Sequence, residues 1–493
     1  VQQRQFVQSW ETDRGGCRRQ VLTMTELGPL DTGFMTMEDT DRHISMGIGT
    51  VAIMARPRPS RGELRTCLAR GVERHRRLRQ RVRRAPLDLK APAWEDDPNF
   101  DLGHHIRWTA LPDPADESAL RELVATELTE RLDRDHPLWE VVVVDRLSDD
   151  RWALIVKAHH TMVDGISGVT LFESFCDAAE DEPRGWRAPG RTRSYTSLPR
   201  VVAGVIRLPY IVPRVTVGTV RILAPVLLAA VTPVAESSLN GPIGRQRRYV
   251  VARTLLPQVR EIGAAFGVTV NDVAVAAIAA AYRRLLLSRG EEPTAGKLRI
   301  MVPVSMRTAN AKEVLDNRVS AMIPYLPIEI EDPVERLLVA HQRIARHRSR
   351  GEPEAEASVL RVAGWLPSGF VGLVFRLASW IPQRGVGALA TNIPGPRHQL
   401  SLGGREVLEM WPCIPIALRV RITIAILSYA ERLTFGITGD YDTAPDIDVI
   451  ASGIATEIAV LLAHARGRRP PRRLVLVPGR GVGSHTSQSR NIR

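Results

Sequence analysis

Apolar positions along this chain follow two rhythms, compact runs that suit strands and spaced positions that suit helices. In the first half, 45–54 is an apolar strand and 62–84 predicts a helix. Leu120, Leu123, Leu128 and Leu132 give helical periodicity over 117–132. The runs 140–144 and 152–156 read as paired strands joined across Ser148-Asp149-Asp150, and 168–179 as the next helix. The second half restarts the alternation. Strand 248–256 leads into helix 258–266 at Pro257, and an Ala-rich helix follows over 271–287, with Asn271 or Asp272 as N-cap. Then come a strand at 298–305, a strand-like run at 318–330 and a helix at 333–349. Strands 422–429 and 433–440 precede a last helix that begins near Pro445-Asp446, runs to Ala465 and turns Ile447, Ile450, Ile454 and Ile458 inward.

Between the halves lies an apolar stretch, 201–235. Its longest uncharged run, 222–235, is shorter than the roughly 20 residues a spanning helix needs, and Pro225 and Pro233 break it. Arg207, Arg214 and Arg221 recur every seven residues, a basic amphipathic pattern that suits a membrane surface or an interdomain contact equally well.

At 493 residues the chain exceeds one ordinary core. We divide it into a disordered extension at 1–26, a domain at 27–195, an apolar and basic linker at 196–246, a second domain at 247–465 and a basic disordered tail at 466–493. Both domains predict a mixed α/β architecture, a sheet with covering helices. Met24 is a candidate start. The formal net charge of +13 comes almost wholly from arginine, since lysine occurs only as Lys90, Lys157, Lys297 and Lys312. Part of the excess is the tail, which has no acidic residue after Glu457. Another part crowds 70–84, read as a solvated basic face or an electropositive rim. Cys17, Cys67, Cys176 and Cys413 are widely spaced, which fits a reduced, cytoplasmic setting and neither a zinc site nor a disulfide framework.

The chemistry concentrates after the strand at 152–156, in Lys157-Ala158-His159-His160-Thr161-Met162-Val163-Asp164-Gly165. Successive strand residues face opposite ways, so His159 and His160 have different surroundings and one of them faces a cleft. Histidine titrates near neutrality and can take a proton from a hydroxyl and return it to a leaving group. His160 is the candidate general base, His159 a support. Asp164 and Gly165 are structural, the Asp fixing the turn through an arginine and the Gly allowing an unusual backbone path. Asn271 is a candidate oxyanion donor. A metal held by His159, His160 and Asp164 is disfavoured, because adjacent histidines chelate one ion poorly. Neither GxSxG nor GxxxxGK[ST] occurs, which argues against a serine hydrolase and a phosphate loop.

The HHxxxDG spacing resembles the motif of acyl-CoA-dependent acyltransferases and peptide-synthetase condensation domains. Further segments match in order: Pro29-Leu30-Asp31, Asp97-Pro98-Asn99-Phe100-Asp101-Leu102 with His105, Pro137-Leu138-Trp139-Glu140, Ser238-Leu239-Asn240-Gly241-Pro242-Ile243-Gly244 and Asn271-Asp272. They continue through 302–307, Asp316-Asn317-Arg318, 391–396 and Leu427-Ser428-Tyr429. Together they resemble the bacterial wax ester synthase/diacylglycerol acyltransferase family over roughly 27–465. The resemblance implies two chloramphenicol-acetyltransferase-like domains with the active site at their interface. It implies long-chain acyl-CoA as co-substrate, no further cofactor, and diacylglycerol or a long-chain alcohol as acceptor. It also implies a peripheral membrane or lipid-droplet surface and no nucleic acid. Trp139, Asn271 and Asp272 become scaffold or substrate-binding candidates near His160. Two places depart from the family pattern, 418–422 and Glu431-Arg432, and we read them as shaping the acceptor pocket. The alternatives are a condensation-like enzyme that takes its acyl group from a carrier protein and a catalytically degenerate lipid-binding protein.

Overall fold

The computed structural model describes residues 25–84, 92–163, 165–177, 237–305, 319–349 and 385–467. Its elements in chain order are β1 (Thr25–Glu26), α1 (Pro29–Thr40), β2 (Gly47–Ala55), α2 (Arg61–Arg74), β3 (Gln80–Arg83), β4 (Ala93–Asp96), β5 (Ile106–Thr109), α3 (Glu117–Thr129), β6 (Trp139–Leu147), β7 (Arg151–His159) and α4 (Gly165–Phe175). The second half contributes β8 (Arg247–Leu255), α5 (Leu256–Phe266), α6 (Val270–Ser288), β9 (Ile300–Ser305), β10 (Val319–Met322), α7 (Pro333–Ser349) and β11 (Ala388–Pro394). Then follow β12 (Ser401–Leu402), β13 (Arg405–Cys413), β14 (Ile422–Tyr429), β15 (Arg432–Asp440) and α8 (Asp448–Gly467). This is the mixed α/β class that the alternation predicted.

Two six-stranded sheets organise the described residues, in the orders β12-β13-β2-β7-β6-β5 and β10-β9-β11-β14-β15-β8. β7 shows why the first sheet forms. Its even-numbered residues Trp152, Leu154, Val156 and Ala158 enter one apolar cluster with Phe172 and Phe175 of α4. Ala153 and Ile155 enter another, with Leu120 and Val124 of α3. A strand covered on both faces reads as a continuous apolar run rather than an alternating one. Lys157 and His159 continue the Ala153–Ile155 face by the strand period of two, and both are buried.

The first sheet is not built from the first half alone. β13 pairs antiparallel with β2, from Val407↔Met54 to Cys413↔Gly49. The cluster around β7 accordingly takes in Leu402, Met410 and Leu427. The two sheets touch where β15 passes β13. A Cβ on Gly436 would lie 1.9 Å from the Pro412 carbonyl oxygen, so only glycine permits that approach. Tyr249 of β8 donates its hydroxyl to the same carbonyl at 3.0 Å. At the far edge, Asp177 accepts the backbone N–H groups of Gly403 and Gly404 at 3.0 and 2.8 Å. In the second half α6 lies against α8, and Ile450, Ile454, Ile458 and Leu461 of α8 are buried with Ala277 and Tyr282 of α6. By length and composition α8 could cross a membrane, but this face is core.

Three sequence expectations change. The helix expected over 62–84 stops at Arg74, because His75 turns extended (φ −125°, ψ 97°). The arginine-rich remainder splits into a 3-10 turn, Arg76–Arg79, and β3, whose burial alternates through Gln80 and Val82. Its charges are partnered: Arg76 with Asp96, Arg81 and Arg83 with Glu95, and Arg84 with Asp39. Half of the eight arginines at 70–84 are therefore ion-paired. Of the described residues 319–330, Val319–Met322 form a strand and Tyr325 adds one bridge to Arg299, since Pro324 and Pro327 remove backbone donors. Neither Asn271 nor Asp272 is the N-cap of α6. That residue is Thr269, and Asp272 at N3 completes a capping box. The stretch 201–235, with Arg207, Arg214 and Arg221, lies outside the described residues, as do 1–24 and 468–493.

Candidate active site

β7 ends at His159, and His160 opens a turn. The two histidines consequently differ in burial. His159 is 1% exposed, whereas His160 is half-buried, its ring 4.3 Å from that of Phe34 on α1. The turn is tied down from several sides. The backbone N–H of Met162 donates to His159 O at 2.8 Å. That of Thr161 donates to His159 Nδ1 at 3.1 Å. Thr161 Oγ1 donates to Asp31 O at 3.3 Å, joining the loop to the Pro29-Leu30-Asp31 segment. Nε2, on the other side of the ring, lies 3.5 Å from Glu38 Oε2.

Glu38 is the residue that sequence reasoning missed. It sits four residues after Phe34, hence on the same face of α1. Its Oε1 accepts the Met46 N–H at 2.9 Å. The Met46 carbonyl in turn accepts the His160 N–H at 2.8 Å. One carboxylate therefore steadies both histidines, His159 through its ring and His160 through the backbone. Burial opposes ionisation of Glu38, but the hydrogen bond and charge of His159, Arg134 and the Met46 amide outweigh it and lower its pKa from 4.5 to about 2. Arg134 supplies the counter-charge and also contacts Asp39. No spacing in the sequence joins Glu38, Arg134 and His159, though an acidic residue about two helical turns after a matched motif was available as a signal.

Pro137-Leu138-Trp139 has a visible task. The Leu138 carbonyl accepts the His159 N–H at 2.9 Å. Trp139 is buried, donates its indole N–H to Leu78 O at 2.8 Å, and stacks on His105 at 4.3 Å and 8°. His105 donates Nδ1–H to Trp139 O at 2.7 Å. Burial holds its imidazole below the usual range against that hydrogen bond. These residues frame the histidine loop.

Gly165 begins α4, and Asp164 lies outside the described residues. Asn271 and Asp272 contact residues of the second half. Asn392 Nδ2 donates to Asn271 Oδ1 at 3.3 Å, and His341 Nδ1 donates to Asp272 Oδ2 at 2.8 Å. The departure at 418–422 is a joint. Arg421 donates to Ser238 O at 2.9 Å and reaches Pro242 O at 3.4 Å, packing on the matched 238–244 segment. Among the described residues no group of His, Cys, Asp and Glu side chains is arranged to hold a metal.

An imidazole open on one side, with its backbone and its neighbour fixed by buried polar groups, is equipped to carry a proton. Comparison with known proteins decides the family. The catalytic-domain model of the wax ester synthase/diacylglycerol acyltransferases matches residues 27–274, and the C-terminal-domain model matches 315–461. The chain belongs to this family. A Mycobacterium tuberculosis protein named "probable diacylglycerol O-acyltransferase" is 39% identical over 471 residues, 91% of this chain and 98% of that one. The wax ester synthase/diacylglycerol acyltransferase of Marinobacter aquaeolei superposes with a TM-score of 0.65 at 25% identity, covering 90% of this chain and 100% of that one. The first condensation domain of the CDA synthetase shares the fold, with a TM-score of 0.58 at 15% identity over 89% of this chain and 96% of that one.

Proposed function

We propose that this enzyme transfers a long-chain acyl group from acyl-CoA to the hydroxyl of diacylglycerol, forming triacylglycerol, with long-chain alcohols as second acceptors giving wax esters. One observation carries the reading: a half-buried His160 next to a fully buried, carboxylate-held His159, inside a motif matched by the family's catalytic domain. The His160 imidazole removes the proton of the acceptor hydroxyl as that oxygen attacks the thioester carbonyl carbon. The tetrahedral intermediate collapses with cleavage of the C–S bond, and the imidazolium protonates the departing thiolate. Ester and free CoA leave, and no covalent acyl-enzyme forms. Because acceptor and product are water-insoluble, we place the reaction at a membrane or lipid-droplet surface.

His160→Ala tests the proposal. Release of free CoA thiol from palmitoyl-CoA and diolein should fall by roughly 10²–10⁴-fold, and equal release by both proteins overturns it. His159→Ala should cost less, since its ring is held in the interior.

A further inference from the structure

Where α1 ends, the chain forms a cleft of about 470 Å³ lined by Arg42, His43, Arg131 and Arg245. Every described lining residue is basic, and they come from three places, behind α1, behind α3 and ahead of β8. The seam between the halves holds them together, because the buried Arg247 donates to the carbonyls of His43 and Gly244. Arg131 is steadied by the Ile44 and Asp41 carbonyls at 3.0 and 2.7 Å, which leave its positive charge uncompensated. Neither Arg42 nor Arg245 meets a carboxylate among the described residues, unlike the paired arginines of β3. Asp41 is 2.9 Å from His43 Nδ1, and Asp440 sits behind the cleft, where it accepts the Gly244 N–H at 2.6 Å and faces Arg247 at 3.8 Å. Three guanidinium groups around one concavity repel each other and favour a ligand carrying several negative charges.

The cleft is also connected to the histidines. α1 places Phe34 on His160 and Glu38 on His159, and Arg42 follows two residues after the helix ends. At 1.5 Å of rise per residue, Phe34 lies roughly 9 Å before the end of α1, and two non-helical residues carry the chain on to Arg42. A ligand with phosphates in the cleft and its reacting group at His160 must span that distance. A long arm between phosphate and thioester does so, and a free phosphate does not. A lipid surface would call for cations spread over a plane rather than around a hollow.

We propose that this cleft binds the phosphate groups of acyl-CoA, a site that rests on the thioester donor of the proposed function. The test uses the full chain and unacylated CoA, titrated calorimetrically into wild type and an Arg42→Glu, Arg245→Glu double variant, both residues being exposed. CoA binding should weaken by about tenfold or more. KM for palmitoyl-CoA should rise in parallel while kcat stays within about twofold. With S-palmitoyl-pantetheine, which carries no phosphate, the two proteins should behave alike. Unchanged CoA affinity overturns the proposal, as does equal impairment with the pantetheine donor. A defect confined to flotation on phosphatidylglycerol vesicles also overturns it and makes the cleft a headgroup site. The titration needs no turnover. If wild type bound CoA through the cleft but released no thiol from palmitoyl-CoA, the acyl-transfer reading would fall and the cleft would stand.

Discussion

Each half of this molecule buries a carboxylate against a histidine, and the two pairs do different work. In the first half, Glu38 and His159 are each 1% exposed, with Arg134 beside them. In the second, Asp272 is 2% exposed but its partner His341 is 41% exposed. Asp272 spends its oxygens on the Thr269 backbone N–H and hydroxyl at 2.9 and 2.8 Å, closing the first turn of α6. Glu38 spends its oxygens on groups distant in sequence, and through Met46 it reaches the backbone of His160. Carboxylate–histidine contact is thus no sign of chemistry by itself. What separates the pairs is whether the carboxylate caps its own helix or steadies a half-buried base elsewhere.

The largest expected effect comes from breaking the first pair. Glu38→Ala leaves the buried His159 without its carboxylate and Arg134 with Asp39 alone, and should cost about 3 kcal/mol of unfolding free energy, measured by denaturant titration. Glu38→Gln keeps the volume and should retain more stability while kcat falls at constant KM, since the loop rather than substrate binding is disturbed. A variant that folds and turns over as wild type removes Glu38 from the account of the site.

Acid should sharpen the contrast. With its pKa lowered from 4.5 to about 2, Glu38 contributes stability that is fully present above pH 4.5 and is lost as pH falls toward 2. The shift corresponds to something on the order of 3 kcal/mol. Stability against pH for wild type and Glu38→Gln should converge at low pH, and parallel curves would contradict the linkage.

The smallest effect belongs to the second pair. Asp272→Ala opens one capping box and should cost about 1 kcal/mol, read as a modest fall in melting temperature. Turnover should suffer less than in Glu38→Gln; the reverse ranking would return the Asn271-Asp272 segment to the reacting centre.

Much of the frame was legible in the sequence because it rests on local pattern. The run at 152–156 and its turn at Asp149-Asp150 became the β6–β7 hairpin, with both turn residues at positive φ. Pro333–Ser349 is a helix where expected, and Ile422–Tyr429 pairs with its neighbour through Ala430-Glu431. Illegible were β11 and β13, whose partners β9 and β2 lie far away in the chain, and the end of α2, where arginines of high helix propensity leave the helix for a 3-10 turn and a strand facing Asp96 and Glu95. Among site residues, His159, His160 and Trp139 stood out within ordered motifs. Glu38, Phe34 and Arg134 did not, since nothing local tells a buried acid from a solvated one.

The sequence by itself determined the alternation of strands and helices, the family motifs and the two adjacent histidines, all set by spacing along the chain. The tertiary structure alone decided that β13 crosses into the first sheet, that Glu38 lies under both histidines, and that three arginines distant in sequence share a cleft with His43. The reason is the same in each case. A buried charge, a shared carbonyl or a strand pairing is a relation between distant residues, and its energy exists only once folding has removed the water between them.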